Sequence, residues 1–269
     1  MRVLFIFVVE TKNFMNYFNL FTRSLLCCML VLSVAACKKT DPPDNNEYLL
    51  MQTYKNGVLT YSYTYNDSAQ LIRSAFDFEY GPHDLETRTT SFSYNSAGQL
   101  TQSTAIMSRN NPSNFVTDYR SEYTYNSLGQ LVLVKTYKLN TGELYNADEY
   151  AYNGKTIVNT HTYNSSVEYT KTYTLDDKGN IVKAVTENPT SGGPMSTEQW
   201  LDYDDKKNIE GPVVGNVASK NNPRRYTKVV PNYSPDTDES FEYTYNRAGY
   251  VTQRIYSGGD TTKYVWKVK

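Results

Sequence analysis

Residues 122–131 read Glu-Tyr-Thr-Tyr-Asn-Ser-Leu-Gly-Gln-Leu, and residues 242–251 return as Glu-Tyr-Thr-Tyr-Asn-Arg-Ala-Gly-Tyr-Val. Segments 63–71, 92–100, 150–157, 173–181 and 201–209 approach the same template, aromatic-x-Tyr-(Asn/Asp)-x-x-Gly-x-aliphatic. The template tyrosine falls at 65, 94, 125, 152, 175, 203 and 245, giving spacings of 29, 31, 27, 23, 28 and 42 residues. Leu175 stands in for it in the fifth unit, and Leu201 replaces the first aromatic of the sixth. Recurrence at this period restricts a chain to repeated supersecondary units.

The chemistry of the unit says which. Aromatics at i and i+2 lie on one face of a strand. Asn or Asp then opens a type I turn, where its side chain bonds the backbone ahead. Gly three residues later suits the positive φ of a G1 bulge, and the aliphatic residue restarts a strand. Asn153-Gly154 and Asn56-Gly57 read as two-residue hairpin turns, and Gly258-Gly259-Asp260 as a last hairpin. Ala69 and Lys207 stand where Gly is expected. The chain has 26 Tyr against 2 Trp, and Tyr and Thr fit a half-buried pleated surface. The expected fold is all-β: an antiparallel meander of stacked β-hairpin repeats forming a long curved or partly rolled sheet.

The N-terminal part reads differently. Arg23 precedes a largely apolar run from Ser24 to Ala35, followed by Ala36 and Cys37. That run suits a signal-peptide core and is short for a membrane span. Val34-Ala35-Ala36-Cys37 resembles a bacterial lipobox, which implies that Cys37 is diacylated and becomes the new N-terminus. Residues 1–36 are therefore expected to be a signal peptide, with Met15 as the true start. Residues 37–47, rich in Lys, Asp, Asn and Pro, read as a lipidated polar tether. The repeat domain takes 48–269, with an irregular insert at about 209–237, where Val213–Ala218 could plug one end of the sheet. All three cysteines, Cys27, Cys28 and Cys37, precede residue 40, so the domain holds neither a disulfide nor a thiolate metal site.

The units resemble the YD repeats of the rearrangement-hotspot family, whose motif is close to Tyr-x-Tyr-Asp-x-x-Gly-x-Leu. The lipobox, tether and degenerate units, with Ser219–Val230 and a final unit at 241–253, resemble a Bacteroidota envelope lipoprotein family. The resemblance covers roughly residues 48–269 and implies a fold but no activity.

Chemistry is thinly signalled. His83 and His161 lie in different units without metal-ligand context. Asp176, Asp177, Asp202, Asp204 and Asp205 sit at or beside turn openings, which explains them by backbone bonding. Ser191-Gly192-Gly193 reads as a turn, and Arg224-Arg225 as a solvated pair. The net charge is -1, with no basic face for nucleic acid. The expectation is a non-catalytic, outer-membrane lipid-anchored envelope protein, periplasmic or surface-exposed, without cofactor. It would meet the membrane through acyl chains on Cys37 and a glycan or protein through its sheet. Off-template rings such as Tyr145, Tyr169 and Tyr256 are the recognition candidates. The alternatives are an envelope or polysaccharide-processing hydrolase and an assembly partner of an outer-membrane machine.

Overall fold

The structure is a computed structural model, and it describes residues 44, 46–79, 85–108, 118–190, 193–208, 218–231 and 233–269. Cys37, Met15, His83 and most of the Val213–Ala218 stretch lie outside the described residues. The strands are β1 (Tyr48–Lys55), β2 (Val58–Tyr65), β3 (Leu71–Glu79), β4 (Leu85–Tyr94), β5 (Leu100–Ser108) and β6 (Tyr119–Tyr125). They continue as β7 (Leu131–Lys138), β8 (Leu144–Asn153), β9 (Thr156–Tyr163), β10 (Ser166–Leu175) and β11 (Ile181–Glu187). The last are β12 (Pro194–Leu201), β13 (Arg225–Val230), β14 (Tyr233–Tyr245), β15 (Val251–Tyr256) and β16 (Thr261–Val268). Each pairs antiparallel with its sequence neighbour, as the meander reading expects.

The sheet is not open. β1 pairs with β16 from Tyr48–Val268 to Lys55–Thr262, closing a barrel. This corrects the expectation of a curved or partly rolled sheet. The cause is visible in the terminal strands. Tyr264-Val265-Trp266 repeats the aromatic-x-aromatic pair, and Leu50 supplies the aliphatic that follows it in other units. Trp266 Nε1 donates to the Val251 carbonyl at 2.6 Å, as template tyrosines do elsewhere. Lys269 N donates to the Glu47 carbonyl at 2.9 Å. The two termini thus share one further unit, and closure satisfies two strand edges that an open sheet would expose.

The turns follow the sequence closely. Gly98 N donates to Asn95 O at 3.0 Å and Asn95 N to Gln99 O at 2.9 Å, and Asn66, Asn126, Asp176 and Asn246 repeat both bonds. Asn95 Oδ1 also accepts from Ala97 N and Gln99 N, while its Nδ2 donates to Gln99 Oε1 at 3.0 Å. Gln70 and Gln130 make the same amide pair with Asn66 and Asn126. The residue after glycine is therefore part of the turn, a role the template does not specify. Asn56 and Gly57 both have positive φ, as a type I′ hairpin requires. The fourth turn is centred one residue later than expected, on Gly154-Lys155, because Asn153 pairs with Thr156.

Two local expectations fail. Ala69 has φ 61°, as its place in the template demands, but Lys207 is not among the residues with positive φ. Among the described residues the sixth unit makes no tight hairpin: β12 ends at Leu201 and β13 opens at Arg225. The irregular insert is thus 202–224 rather than 209–237, since β13 and β14 occupy 225–230 and 233–245.

Cross-strand partners share a face, so the register separates inside from outside. One set of rows runs Thr53–Tyr61–Phe76–Arg88–Met107, Tyr123–Val134–Asp148–His161–Tyr169 and Tyr150–Asn159–Lys171–Thr186–Ser196. The other runs Thr64–Arg73–Ser91–Thr104–Arg120–Tyr137 and Thr124–Leu133–Glu149–Thr160–Thr170–Glu187. The buried strand residues Leu50, Leu71, Leu100, Ser103, Ile157, Asn159, Ile181, Ala184, Glu198, Phe241, Val251 and Tyr264 share the face of the first set. Small Ala147 is the exception. The barrel is aromatic within and rich in Thr, Ser and charge without.

The turn chemistry is testable by substitution. A Cβ at Gly98 would meet only Gln70 Nε2, at 3.6 Å, so the cost of replacement is backbone strain at φ 77° rather than a clash. Gly98→Val should therefore destabilise by about 2 kcal/mol, and Ala69→Gly should be neutral or stabilise by up to about 1 kcal/mol. Thermal unfolding that shows equal losses for both would refute the bulge.

Candidate functional site

The inner face is the place where chemistry concentrates, and a repeated clasp shapes it. Tyr65 Oη donates to the Leu50 carbonyl at 2.9 Å, Tyr94 to Leu71 at 2.7 Å, Tyr152 to Leu131 at 2.9 Å and Tyr203 to Ile181 at 2.5 Å. Each bond ties a hairpin to its predecessor near the rim that carries the Asn-x-x-Gly turns. The rim aliphatics Leu50, Leu71, Leu100, Ile157, Ile181 and Val251 are all buried. In the seventh unit, the phenol of Tyr245 instead donates to Asp204 Oδ2, because the sixth unit that should precede it is the one that departs into the insert.

That insert returns to the same rim. Fully buried Asn180 accepts from Lys220 N at 3.0 Å and Asn221 N at 2.9 Å through Oδ1. Asn222, also fully buried, donates from its backbone to Asp204 Oδ1 at 3.1 Å. Lys207 reaches Tyr250, with Nζ 3.0 Å from Oη and 4.5 Å from the ring centroid. Tyr250 packs against Tyr48 and Trp266 at centroid distances of 5.3 and 4.9 Å. Between these groups and Gln70, Tyr65 and Tyr94 lies a groove of about 550 Å³. The described part of the insert thus lies against the turn-bearing end of the barrel.

Charged groups line the mid-wall in pairs. Asp148 Oδ1 accepts from His161 Nδ1 at 2.9 Å and Asn159 Nδ2 at 3.1 Å. The His161 ring stacks on Tyr169 at 4.7 Å, and its Nε2 faces the Glu168 carboxylate at 3.6 Å rather than a hydroxyl or thiol. With carboxylates facing both ring nitrogens, the ring is held in place and presents no base to a nucleophile. Lys171 Nζ donates to Glu198 Oε1 at 3.0 Å.

The opposite mouth is the more aromatic. Tyr145 sits between Tyr119 and Tyr163 at 4.8 and 5.2 Å. Tyr256 packs edge-on against Phe241 at 5.5 Å. Near it a second cavity of about 360 Å³ is lined by Thr53, Tyr61, Tyr63, Arg254, Tyr264 and neighbours. The off-template tyrosines are thus wall residues of the lumen, not rings on an outer surface.

The sequence candidates sort accordingly. Asp176 is a turn residue, accepting from Lys178 N and Asn180 N. Asp177 pairs with Lys155 and Asp205 with Lys206, both in solvent. Arg225 forms a two-pronged pair with Asp238 at 2.9 and 2.7 Å. No cluster of three His, Cys, Asp or Glu side chains fit to hold a metal occurs among the described residues. Sequence reasoning missed Asp148, Lys171, Glu198 and Arg254. Their signal was parity: each stands two residues from a tyrosine or tryptophan of the inner face, as in Tyr169-Thr-Lys171-Thr-Tyr173 and Arg254-Ile-Tyr256.

No family model and no curated protein matches the chain. Among solved structures, it is similar to a porin-like protein from Bacteroides uniformis, with TM-score 0.41 and 12% identity over 84% of this chain and 99% of that one. A porin-like protein from Bacteroides vulgatus gives TM-score 0.43 and 9% identity over 82% and 99%. At these scores the likeness assigns no activity.

Burial raises the lumenal phenols. Tyr65 is pushed up to about 12 by burial, and Tyr173 and Tyr226 reach about 12 through burial reinforced by Glu198. Tyr63, Tyr150 and Tyr243 are raised further, burial again being the main cause. Below about pH 10 these phenols are neutral in folded and unfolded chains alike. Above it the unfolded chain releases protons first, so stability should be flat to pH 9 and fall between about pH 10 and 12. Tyrosinate absorbance should then rise in step with loss of the β signal in circular dichroism. Full ionisation near pH 10 with the fold intact would contradict a buried tyrosine lumen.

Proposed function

We propose that this is a non-catalytic envelope lipoprotein, anchored through Cys37, whose barrel stands in water and binds a ligand on its aromatic inner face. The polarity of the wall carries this reading. A barrel that spans a membrane turns an apolar band about 25 Å tall to the lipid, and a cation at the bilayer midplane costs about 2–4 kcal/mol. Here Arg73, Arg120, Lys135, Glu149, Glu187, Glu242 and Lys263 occupy outward positions, among Thr and Ser. Tyrosine, which combines a flat apolar face with a polar tip, lines the lumen and suits sugar rings or peptide backbone.

Residues 38–269 should stay monodisperse without detergent, and Cys37→Ala in the full chain should move the protein out of the membrane fraction. Aggregation without detergent together with ion conductance in planar bilayers would overturn the reading in favour of a pore.

A further inference from the structure

Arg254 is an inward cation set among aromatic rings rather than beside a carboxylate. Its neighbours on the inner face are Tyr243 and Thr262 across the strands and Tyr256 two residues on. The guanidinium lies 5.5 Å from the Phe241 ring centroid and 4.6 Å from that of Tyr256, and it donates to the Tyr256 hydroxyl. Its Nε is buried with no hydrogen-bond partner. Among the described residues, no carboxylate comes within ion-pair distance of it, whereas Lys171 meets Glu198 and His161 meets Asp148. A cation withdrawn from water without a counter-charge is costly, and chains rarely retain one that nothing repays.

The cavity beside it shows what would repay it. Its lining contains no Asp or Glu: Arg254 is joined by Thr53, Thr60 and Thr262 and by the rings of Tyr61, Tyr63, Tyr256 and Tyr264. Lys55, the other cation there, is largely exposed and already faces Asp260 at 3.6 Å. The volume, about 360 Å³, lies in the range of small-molecule sites. A planar guanidinium recognises a carboxylate by two parallel N–H···O bonds. Tyrosine faces cover the flat side of a ring, and threonine hydroxyls match ring hydroxyls.

From these features together we propose that the Arg254 cavity binds a carboxylate carried on a hydroxylated ring, a uronic acid being the type. This rests on the lumen-binding reading above and specifies its ligand class. A single half-buried guanidinium and few donors fit a monoanion with a carbon body better than sulfate or phosphate.

The test uses the purified full chain, with glucuronate, glucose and inorganic sulfate as calorimetric probes. Glucuronate should bind about tenfold or more tightly than glucose, the factor that one charge-assisted pair carries. Sulfate should bind more weakly than glucuronate. Arg254→Met should abolish the preference for glucuronate over glucose. Arg254→Lys, which keeps the charge and loses the planar fork, should retain only part of it. Because the wild-type cation is unpaired, glucuronate should raise the melting temperature of the wild type and not that of Arg254→Met. Equal affinity for glucuronate and glucose, or a glucuronate preference unchanged in Arg254→Met, would overturn the proposal while leaving a neutral glycan as an occupant of the lumen. Binding of sulfate at least as tight as glucuronate would overturn it in favour of a plain anion site. Absence of all binding, neutral sugars and peptides included, would count against the lumen reading as a whole.

Discussion

A phenol donating to the carbonyl that restarts the preceding hairpin is the contact on which the rest of the barrel depends. It recurs at Tyr65, Tyr94, Tyr152 and Tyr203, and Trp266 makes its counterpart to Val251 at the closing strand. One such bond contributes only about 1 kcal/mol net. Its repetition does more: it sets where each hairpin sits against its neighbour, puts every template ring on the inner face, and gathers the rim aliphatics into a buried collar. The small core of Leu50, Val251 and Tyr264, with Tyr63, Tyr243, Tyr245 and Trp266 against it, lies where the two termini complete a shared unit. Closure and core formation are the same event.

From that arrangement follows an inverted polarity relative to a lipid-facing barrel. The aromatic mass points inward, and Thr, Lys, Arg and Glu point out. The lumen can therefore hold buried charge under control, as the Lys171–Glu198 and His161–Asp148 pairs do. The insert at 202–224 exploits the same rim. Where the sixth hairpin should close, Asp204 instead gathers Asn222 and Tyr245, and Lys207 reaches over to Tyr250. The described residues of the broken repeat thus return to the turn-bearing rim.

Much of this was legible in the residues. The Asn-x-x-Gly template dictated the turns down to the positive φ of Ala69. The all-β meander followed from the aromatic pairs. Closure was not read, because the unit that seals the barrel is divided between Tyr264–Trp266 and Leu50, at opposite ends of the chain. The Asn164-Ser165 turn was also missed, since both residues adopt positive φ without glycine. Lys207 escaped its template position because its neighbours Asp204 and Asn208 found partners in Asn222 and Ser219. The candidate site was the least visible part. Charged residues on aromatic parity announce an inner wall only once it is known which face is inside.

Closure of β1 on β16 is the claim from which the inner lumen, the buried collar and the cavity beside Arg254 all descend. Residue-resolved amide hydrogen exchange tests it most directly. A closed barrel predicts that paired amides of β1 and β16, such as those near Leu50, Thr53 and Tyr264, exchange as slowly as those of β9, which is flanked by strands on both sides. Fast, edge-like exchange along β1 and β16, with β9 still protected, would contradict the account and return the molecule to an open curved sheet.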